Sequence, residues 1–161
     1  MTDTGKWPDQ RGSAVLSPAD CRRLLAEASG SVGRLGYVGD GGPVVLPLNY
    51  VLLDGEVCLR LGPGRTLETL LGGPTVAFEI AHCDALAGPA PEAWSVLAQG
   101  RARVLRDPVA LDAAAAMGLT PLVSESGQVY VLVRPERLSG RRFAVGALAR
   151  FGLQPMNPGP S

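Results

Sequence analysis

Alternating apolar and polar positions run through the middle of the chain and predict β-strands. Asp54-Gly55, between two alternating segments, is a turn pair that favours a two-residue β-hairpin. Short strands separated by glycine-rich turns are typical of a small antiparallel barrel. The predicted strands cover residues 31–38, 44–53, 56–61, 75–80, 94–105 and 129–134, with 140–145 extending or following the last. The pattern therefore predicts a mainly β protein of about six strands.

Three short helices are expected beside these strands. The first begins after Ser17, a good N-cap, with Pro18 at the first helical position and Asp20 in the first turn. A second helix is predicted over residues 65–71, and an alanine-rich third over residues 108–117.

The boundaries of the domain follow from proline and glycine. Residues 1–13 resemble a flexible arm, and residues 152–161 have too few apolar groups to offset the entropy of ordering. Residues 14–151 are therefore expected to form one domain. Within it, Pro47 has no N–H for a sheet hydrogen bond and predicts an edge or a bulge, and residues 82–92 are expected to form a loop.

Charge and composition exclude several classes of protein. Fifteen basic residues balance fifteen acidic ones, which argues against a general nucleic-acid-binding protein. Met1–Gly12 is polar, and no apolar run approaches the roughly 20 residues of a membrane span, so we expect a cytoplasmic protein without membrane contact. A single histidine, His82, and three scattered cysteines predict no metal site and no disulfide framework.

The segment from Arg60 through Leu61 to Thr66 is the strongest candidate binding site. A predicted strand runs into a glycine turn at Gly64 and then into the start of a helix, where free backbone N–H groups can hold a phosphate. Arg60 and Arg65 can add charge-assisted hydrogen bonds, and Thr66 adds a hydroxyl. The alternative is a loop with solvated arginines.

Three other positions carry two interpretations each. Asn49, in an apolar strand, either contacts a planar heterocycle or faces outward on a half-exposed strand. Trp94 either stacks on an aromatic ligand or anchors a core or an interface. His82 and Cys83 suggest nucleophilic catalysis only if a third group orients the histidine, and a loop role is favoured.

Familiar catalytic and nucleotide-binding motifs are missing from the sequence. It contains no GxSxG nucleophile elbow, no GxxxxGK[ST] phosphate loop and no GxGxxG in a strand–turn–helix setting.

The ordered set of segments resembles the pyridoxamine 5′-phosphate oxidase-like, FMN-binding split-barrel family, in particular an actinobacterial subgroup. The resemblance covers about residues 14–145, and no single motif in it is highly specific. The segments that carry it are LSPADCRRLLAEASGSVGRLGYV (16–38), GGPVVLPLNYVLLDGEVCLRLGPGRTLETL (41–70), VAFEIAHCD (76–84), AWSVLAQGRARVL (93–105) and YVLVRPERLSGRRF (130–143).

This resemblance implies a six-stranded antiparallel split β-barrel with a few short flanking helices. It further implies a homodimer with two FMN sites at the interface, and a small-molecule substrate. In the family's pattern the strand around residues 45–49 lies along the flavin, the turn at 64–66 binds its phosphate, and residues 94 and 95 reach it from the other subunit. The expected cofactor-binding residues are Val45, Leu46, Pro47, Asn49, Arg60, Leu61, Gly64, Arg65, Thr66, Trp94 and Ser95.

The expected activity is that of a flavin-dependent oxidoreductase. The Arg-x-x-x-His substrate motif and the C-terminal Trp-Arg segment of true pyridoxamine phosphate oxidases are not recognisable here, so a substrate other than vitamin B6 is expected. Other relatives in the resemblance bind the deazaflavin F420 or haem, or reduce nitroimidazoles. The alternatives are therefore an F420-binding reductase, a flavin-binding module without turnover that senses redox state, and, through His82, haem binding.

Overall fold

A closed six-stranded antiparallel barrel, flanked by three short helices, forms the centre of the computed structural model, which describes residues 13–83, 92–119 and 127–144. Its elements in chain order are β1 (Ser13–Val15), α1 (Pro18–Glu27), β2 (Val32–Gly39), β3 (Gly42–Leu53), β4 (Glu56–Leu61), α2 (Arg65–Leu71), β5 (Thr75–Cys83), β6 (Glu92–Val104), α3 (Pro108–Ala116), β7 (Val129–Val133) and β8 (Arg137–Ala144). The expected arm and tail lie outside the described residues, except that Ser13 already belongs to β1.

The barrel closes because β6 is long enough to pair with three strands. Its thirteen residues pair with β5 along one side, while on the other side the first half pairs with β8 and the last residues pair with β7. The closed ring is β2-β3-β4-β7-β6-β5, and β1 and β8 extend the sheet outside it. On this side of β6 the sheet therefore divides, with β8 continuing it outside the ring and β7 closing the ring.

The local signals for the first helix and the hairpin are confirmed. Ser17 Oγ accepts a hydrogen bond from the N–H of Asp20 at 3.1 Å, as an N-cap does, and Pro18 begins α1. Asp54 and Gly55 have φ angles of 50° and 81°, so both central residues are left-handed, as a type I′ turn requires. This geometry joins β3 directly to β4.

Pro47 lies inside an unbroken β3 of 12 residues. Along residues 42–49 this strand pairs with β2, and along residues 50–53 it pairs with β4. Pro47 therefore lies where the described strand has a neighbour on one side only, and its missing N–H removes no ladder bond. The predicted edge is confirmed for residues 42–49 of β3, and the strand accommodates Pro47 without a bulge.

The loop predicted over residues 82–92 begins too early. β5 continues to Cys83, and His82 pairs across the sheet with Trp94, the two rings stacking at 5.8 Å with 25° between their planes. The alternation of apolar and polar residues ends near Ile80, so it cannot reveal that the strand continues through the His82–Trp94 pair to Cys83. The remainder of the predicted loop, residues 84–91, lies outside the described residues.

Two apolar clusters cover opposite sides of the barrel wall. The barrel interior packs around Leu35, Tyr50 and Phe78, with the two aromatic rings 5.0 Å apart in an edge contact. A second cluster lies under α3, where Ala114 and Leu119 pack against β3, β4 and β7. The helices therefore flank the barrel, as expected.

One face of the sheet carries exposed apolar side chains. Cross-strand partners project from the same face, and by register Val15, Val32, Val38 and Val45 share one face, which we call the valine face. Each of these valines is exposed by at least half of its surface. Arg34 and Glu79 form an ion pair of 3.1 Å on the same face.

Candidate functional site

The turn between β4 and α2 has the backbone that the sequence predicted. Gly64 has a φ of 148°, and a Cβ built there meets nothing within 4 Å, so the conformation itself selects glycine. Arg65 follows as the first residue of α2 and is exposed, while Thr66 is half-buried. Because α2 has only seven residues, its N-terminus carries a weak dipole. The guanidinium of Arg65 therefore attracts an anion more strongly than the helix N-terminus does.

Side-chain hydroxyl groups form hydrogen bonds at the start of α2, one of them to the barrel. Tyr37 on β2 places its hydroxyl 2.9 Å from Thr66 Oγ1. One turn further along α2, Thr69 Oγ1 donates to the carbonyl oxygen of Arg65 at 2.9 Å. The Thr66 hydroxyl that the sequence offered to a phosphate is therefore engaged with Tyr37.

A cleft of about 650 Å³ lies between α2 and the β2–β3 turn. Residues 39–44 form one wall, Arg65, Glu68 and Thr69 form the other, and Tyr37 also contributes to the lining. Asp40 and Glu68 bring carboxylates to the same opening, and both are exposed. Sequence reasoning missed these two acids, although Glu68 lies three residues after Arg65 and Asp40 lies in a recognised turn.

The four expected residues of β3 divide between the two sides of the strand. Val45 and Pro47 are exposed on the outer face, whereas Leu46 packs against the barrel interior. Asn49 is half-buried and pairs in register with Val32. The side chains at the outer positions can line a ligand without any movement of the core, whereas the side chain of Leu46 faces the barrel interior.

Arg60 and Leu61 have different surroundings from Arg65. The Arg60 guanidinium donates to the carbonyl oxygen of Leu119 at 3.3 Å and lies 5.6 Å from the centre of the Tyr130 ring. Its buried Nε makes no hydrogen bond to any described residue. Leu61 is 6% exposed and belongs to the barrel interior. The structure therefore brings Arg65, but not Arg60, to the cleft.

Trp94 and Ser95 lie on opposite faces of β6. Trp94 is half-buried, stacks on His82 and packs against the barrel interior. Ser95 pairs with Ala81 and Arg141, which places it on the valine face. His82 and Cys83 are exposed at the end of β5.

A second cleft of about 770 Å³ opens beside α1 and the β3–β4 hairpin, with Arg22, Leu52 and Arg134 in its lining. No expected site residue lies there. In the part of the chain that the structure describes, no three metal-ligating side chains come together, and no helix is long and apolar enough to cross a membrane.

Comparison with known proteins gives a match at the level of family and fold. A family model described as pyridoxamine 5′-phosphate oxidase matches residues 17–142. The FAD binding protein from Mycobacterium smegmatis is 28% identical, with 81% of this chain and 99% of that chain covered and a TM-score of 0.64. An FAD-binding protein from Mesorhizobium loti is 25% identical, with 82% and 99% covered and a TM-score of 0.67.

More distant similarity shows the fold alone. The FAD and heme binding protein from Mycobacterium smegmatis is 15% identical, with 93% of this chain and 91% of that chain covered and a TM-score of 0.61. No curated protein matches the sequence.

Proposed function

The chain belongs to the pyridoxamine 5′-phosphate oxidase family of flavin-binding split barrels, and we propose that it binds a flavin and uses it as an oxidoreductase of a small molecule. The observation that carries the proposal is Arg65, an exposed guanidinium at the rim of the cleft between α2 and the β2–β3 turn. Two similar structures are described as FAD-binding proteins, which supports a flavin as the ligand class.

The residues at the cleft fit the phosphate end of a flavin. Arg65 can form forked, charge-assisted hydrogen bonds to phosphate oxygens. The opposite wall contains Gly39, Gly41 and Gly42, whose backbone a ligand can approach closely. A Cβ at Gly41 or Gly42 would meet nothing within 4 Å, so this wall has open space in front of it.

The ring end of the flavin is assigned to the outer side of β3. Val45 and Pro47 are exposed there and offer a flat apolar strip, and Asn49 at the end of that strip can donate to or accept from a ring edge. The resemblance adds Trp94 of the partner subunit and Ser95 of the partner subunit. Of these two, Ser95 lies on the valine face, which supports its reaching across an interface.

A bound flavin supplies acceptance and donation of a hydride, and the chain supplies binding, orientation and exclusion of water. Arg65 holds the anionic end, and the strip at Val45 and Pro47 positions the rings. We assign no side chain as an acid or a base.

We propose that the protein is a homodimer that buries the valine face. Three of these valines, Val32, Val38 and Val45, lie on the neighbouring strands β2 and β3, and apolar groups exposed on one side of a sheet are of the kind that partners cover. The Arg34–Glu79 ion pair on this face is internal to one chain, so burial would not leave either charge without a counter-charge. The ring strip lies on the same face, so the interface would also close over the flavin.

The direct test is the absorption spectrum of the purified protein, with the mass of any small molecule that copurifies. Titration of the protein with FMN, FAD and F420 follows, and then oxidation of NADH and NADPH with a panel of acceptors. We expect a flavin spectrum or saturable flavin binding, followed by turnover. Protein that binds no flavin would contradict the proposal, and tight binding without turnover would contradict the oxidoreductase half of it.

A further inference from the structure

The first two thirds of β3 form a long free edge of the sheet. Among the described residues, the stretch 42–49 pairs with β2 alone, because the pairing with β4 begins only at Tyr50. The whole strand lacks charged side chains, and its β-branched residues Val44 and Val45 favour extended structure. An exposed, uncharged strand edge of this length is a template to which a strand of another chain can add.

The hydrogen bonds of Tyr50 show which backbone groups lie on this edge. Its N–H donates to the carbonyl oxygen of Ser31 at 3.2 Å, and its carbonyl oxygen accepts from the N–H of Gly30 at 2.8 Å. Both bonds point toward the β2 side, and the backbone groups of successive residues in a strand point to alternate sides. The even-numbered residues of the stretch therefore bond to β2. The backbone groups that point outward belong to residues 43, 45, 47 and 49.

Two of these four outward positions are prolines, Pro43 and Pro47, and both are exposed. A proline has no N–H, and its ring occupies the place where the hydrogen bond to an added strand would form. A strand that adds to an edge accepts hydrogen bonds from every second residue. The prolines therefore remove alternate donors and leave the N–H of Val45 isolated between them.

We propose that Pro43 and Pro47 block strand addition at the free edge of β3, which leaves the valine face as the surface through which copies of this chain associate. Charged side chains commonly protect an exposed edge, and in β3 the prolines take over that role. The edge strand outside the ring, β1, is protected in another way, because it has only three residues. The inference holds whether or not the chain binds a flavin.

The test replaces both prolines by threonine, which restores the two N–H groups and favours strands without adding apolar surface. In sedimentation equilibrium at high protein concentration, Pro43→Thr/Pro47→Thr should have a weight-average mass at least about twice that of the wild type. Each single variant restores one donor beside Val45 and should show a smaller increase. Pro108→Thr, at the first position of α3, is the matched control, because it adds an N–H away from any sheet edge and should sediment as the wild type does.

Hydrogen exchange distinguishes strand addition from aggregation of unfolded chains. In the double variant, the amide of Val45 and the new amide at position 47 should exchange at least about tenfold more slowly at high protein concentration than at low concentration. Proline variants that all keep the mass of the wild type would overturn the proposal. Larger species in which these two amides stay unprotected would overturn it as well, because the copies would then associate elsewhere.

Discussion

The hydroxyl groups of Tyr37 and Thr66 lie 2.9 Å apart and join β2 to the first turn of α2. Tyr37 is buried in the barrel, so this pair fixes the position of α2 relative to the β2–β3 turn. Because the same two elements form the walls of the cleft, the width of the cleft depends on this contact. Arg65 is the neighbour of Thr66, and its placement at the rim follows from the same pair.

Breaking this pair should weaken binding of phosphate-bearing flavins. Tyr37→Phe and Thr66→Val each remove one hydroxyl, and each should lower the free energy of unfolding by about 0.5–1.5 kcal/mol. The affinity for FMN should fall, whereas the affinity for riboflavin, which has no phosphate, should not. In a double-mutant cycle the second substitution should add little to the first. Additive losses, or an equal loss for riboflavin, would show that the pair does not position the phosphate site.

Closure of the barrel should depend on the absence of a side chain at Gly100. A Cβ there would overlap the carbonyl group of Arg134, close to where the N–H of Glu136 donates to the carbonyl oxygen of Gln99 at 2.9 Å. Gly100→Ala should therefore lower the free energy of unfolding by about 2–4 kcal/mol. Gly41→Ala, where a Cβ meets open space, is the control and should change it little. Denaturant unfolding measures both, and equal stability of the two variants would contradict the close approach.

Charge on the valine face should separate the proposed dimer. Val45 is 65% exposed on that face, and Val109 on α3 is 77% exposed elsewhere. A glutamate buried without a partner is costly, so Val45→Glu should sediment as a monomer and lose flavin binding. Val109→Glu should behave as the wild type. A monomeric wild type, or a Val45→Glu variant that remains dimeric, would exclude this interface.

Stability should fall in alkaline solution. Burial raises the pKa of the Tyr50 hydroxyl from 10.0 to about 12 and the pKa of the Cys58 thiol from 9.0 to about 11. The folded protein holds both protons more tightly than the unfolded chain, so this stabilisation is complete below pH 9 and is lost as the pH rises toward 12. Denaturant unfolding between pH 8 and pH 11 should show the decline, and Cys58→Ala should decline less steeply. An unchanged slope in that variant would exclude the thiol as a cause.

Local chemistry made several elements predictable. The cap at Ser17, the left-handed turn at Asp54-Gly55 and the helix over residues 65–71 each depend on a few neighbouring residues, so the sequence alone specifies them. The glycine at position 64 was predictable for the same reason, since its backbone conformation is nearly unavailable to other residues.

Long-range pairing was not predictable in the same way. Alternation shows that Arg60 projects opposite to Leu59 and Leu61, but it cannot show that residues after α3 cover that side. Arg60 therefore contacts Leu119 and Tyr130 instead of joining Arg65 at the cleft. Asp40 and Glu68 meet at one cleft only because β2, β3 and α2 pack together, which no local pattern encodes.

The central claim is that Arg65 holds the anionic end of a flavin, and fluorescence titration of the Arg65→Ala variant tests it most directly. Loss of a charge-assisted hydrogen bond should weaken binding by about 1.5–3 kcal/mol, which is roughly a ten- to more than hundredfold rise in the dissociation constant for FMN or FAD. Arg106→Ala, which removes an exposed arginine after β6, should leave that constant unchanged. An Arg65→Ala variant that binds both flavins as tightly as the wild type would contradict the account.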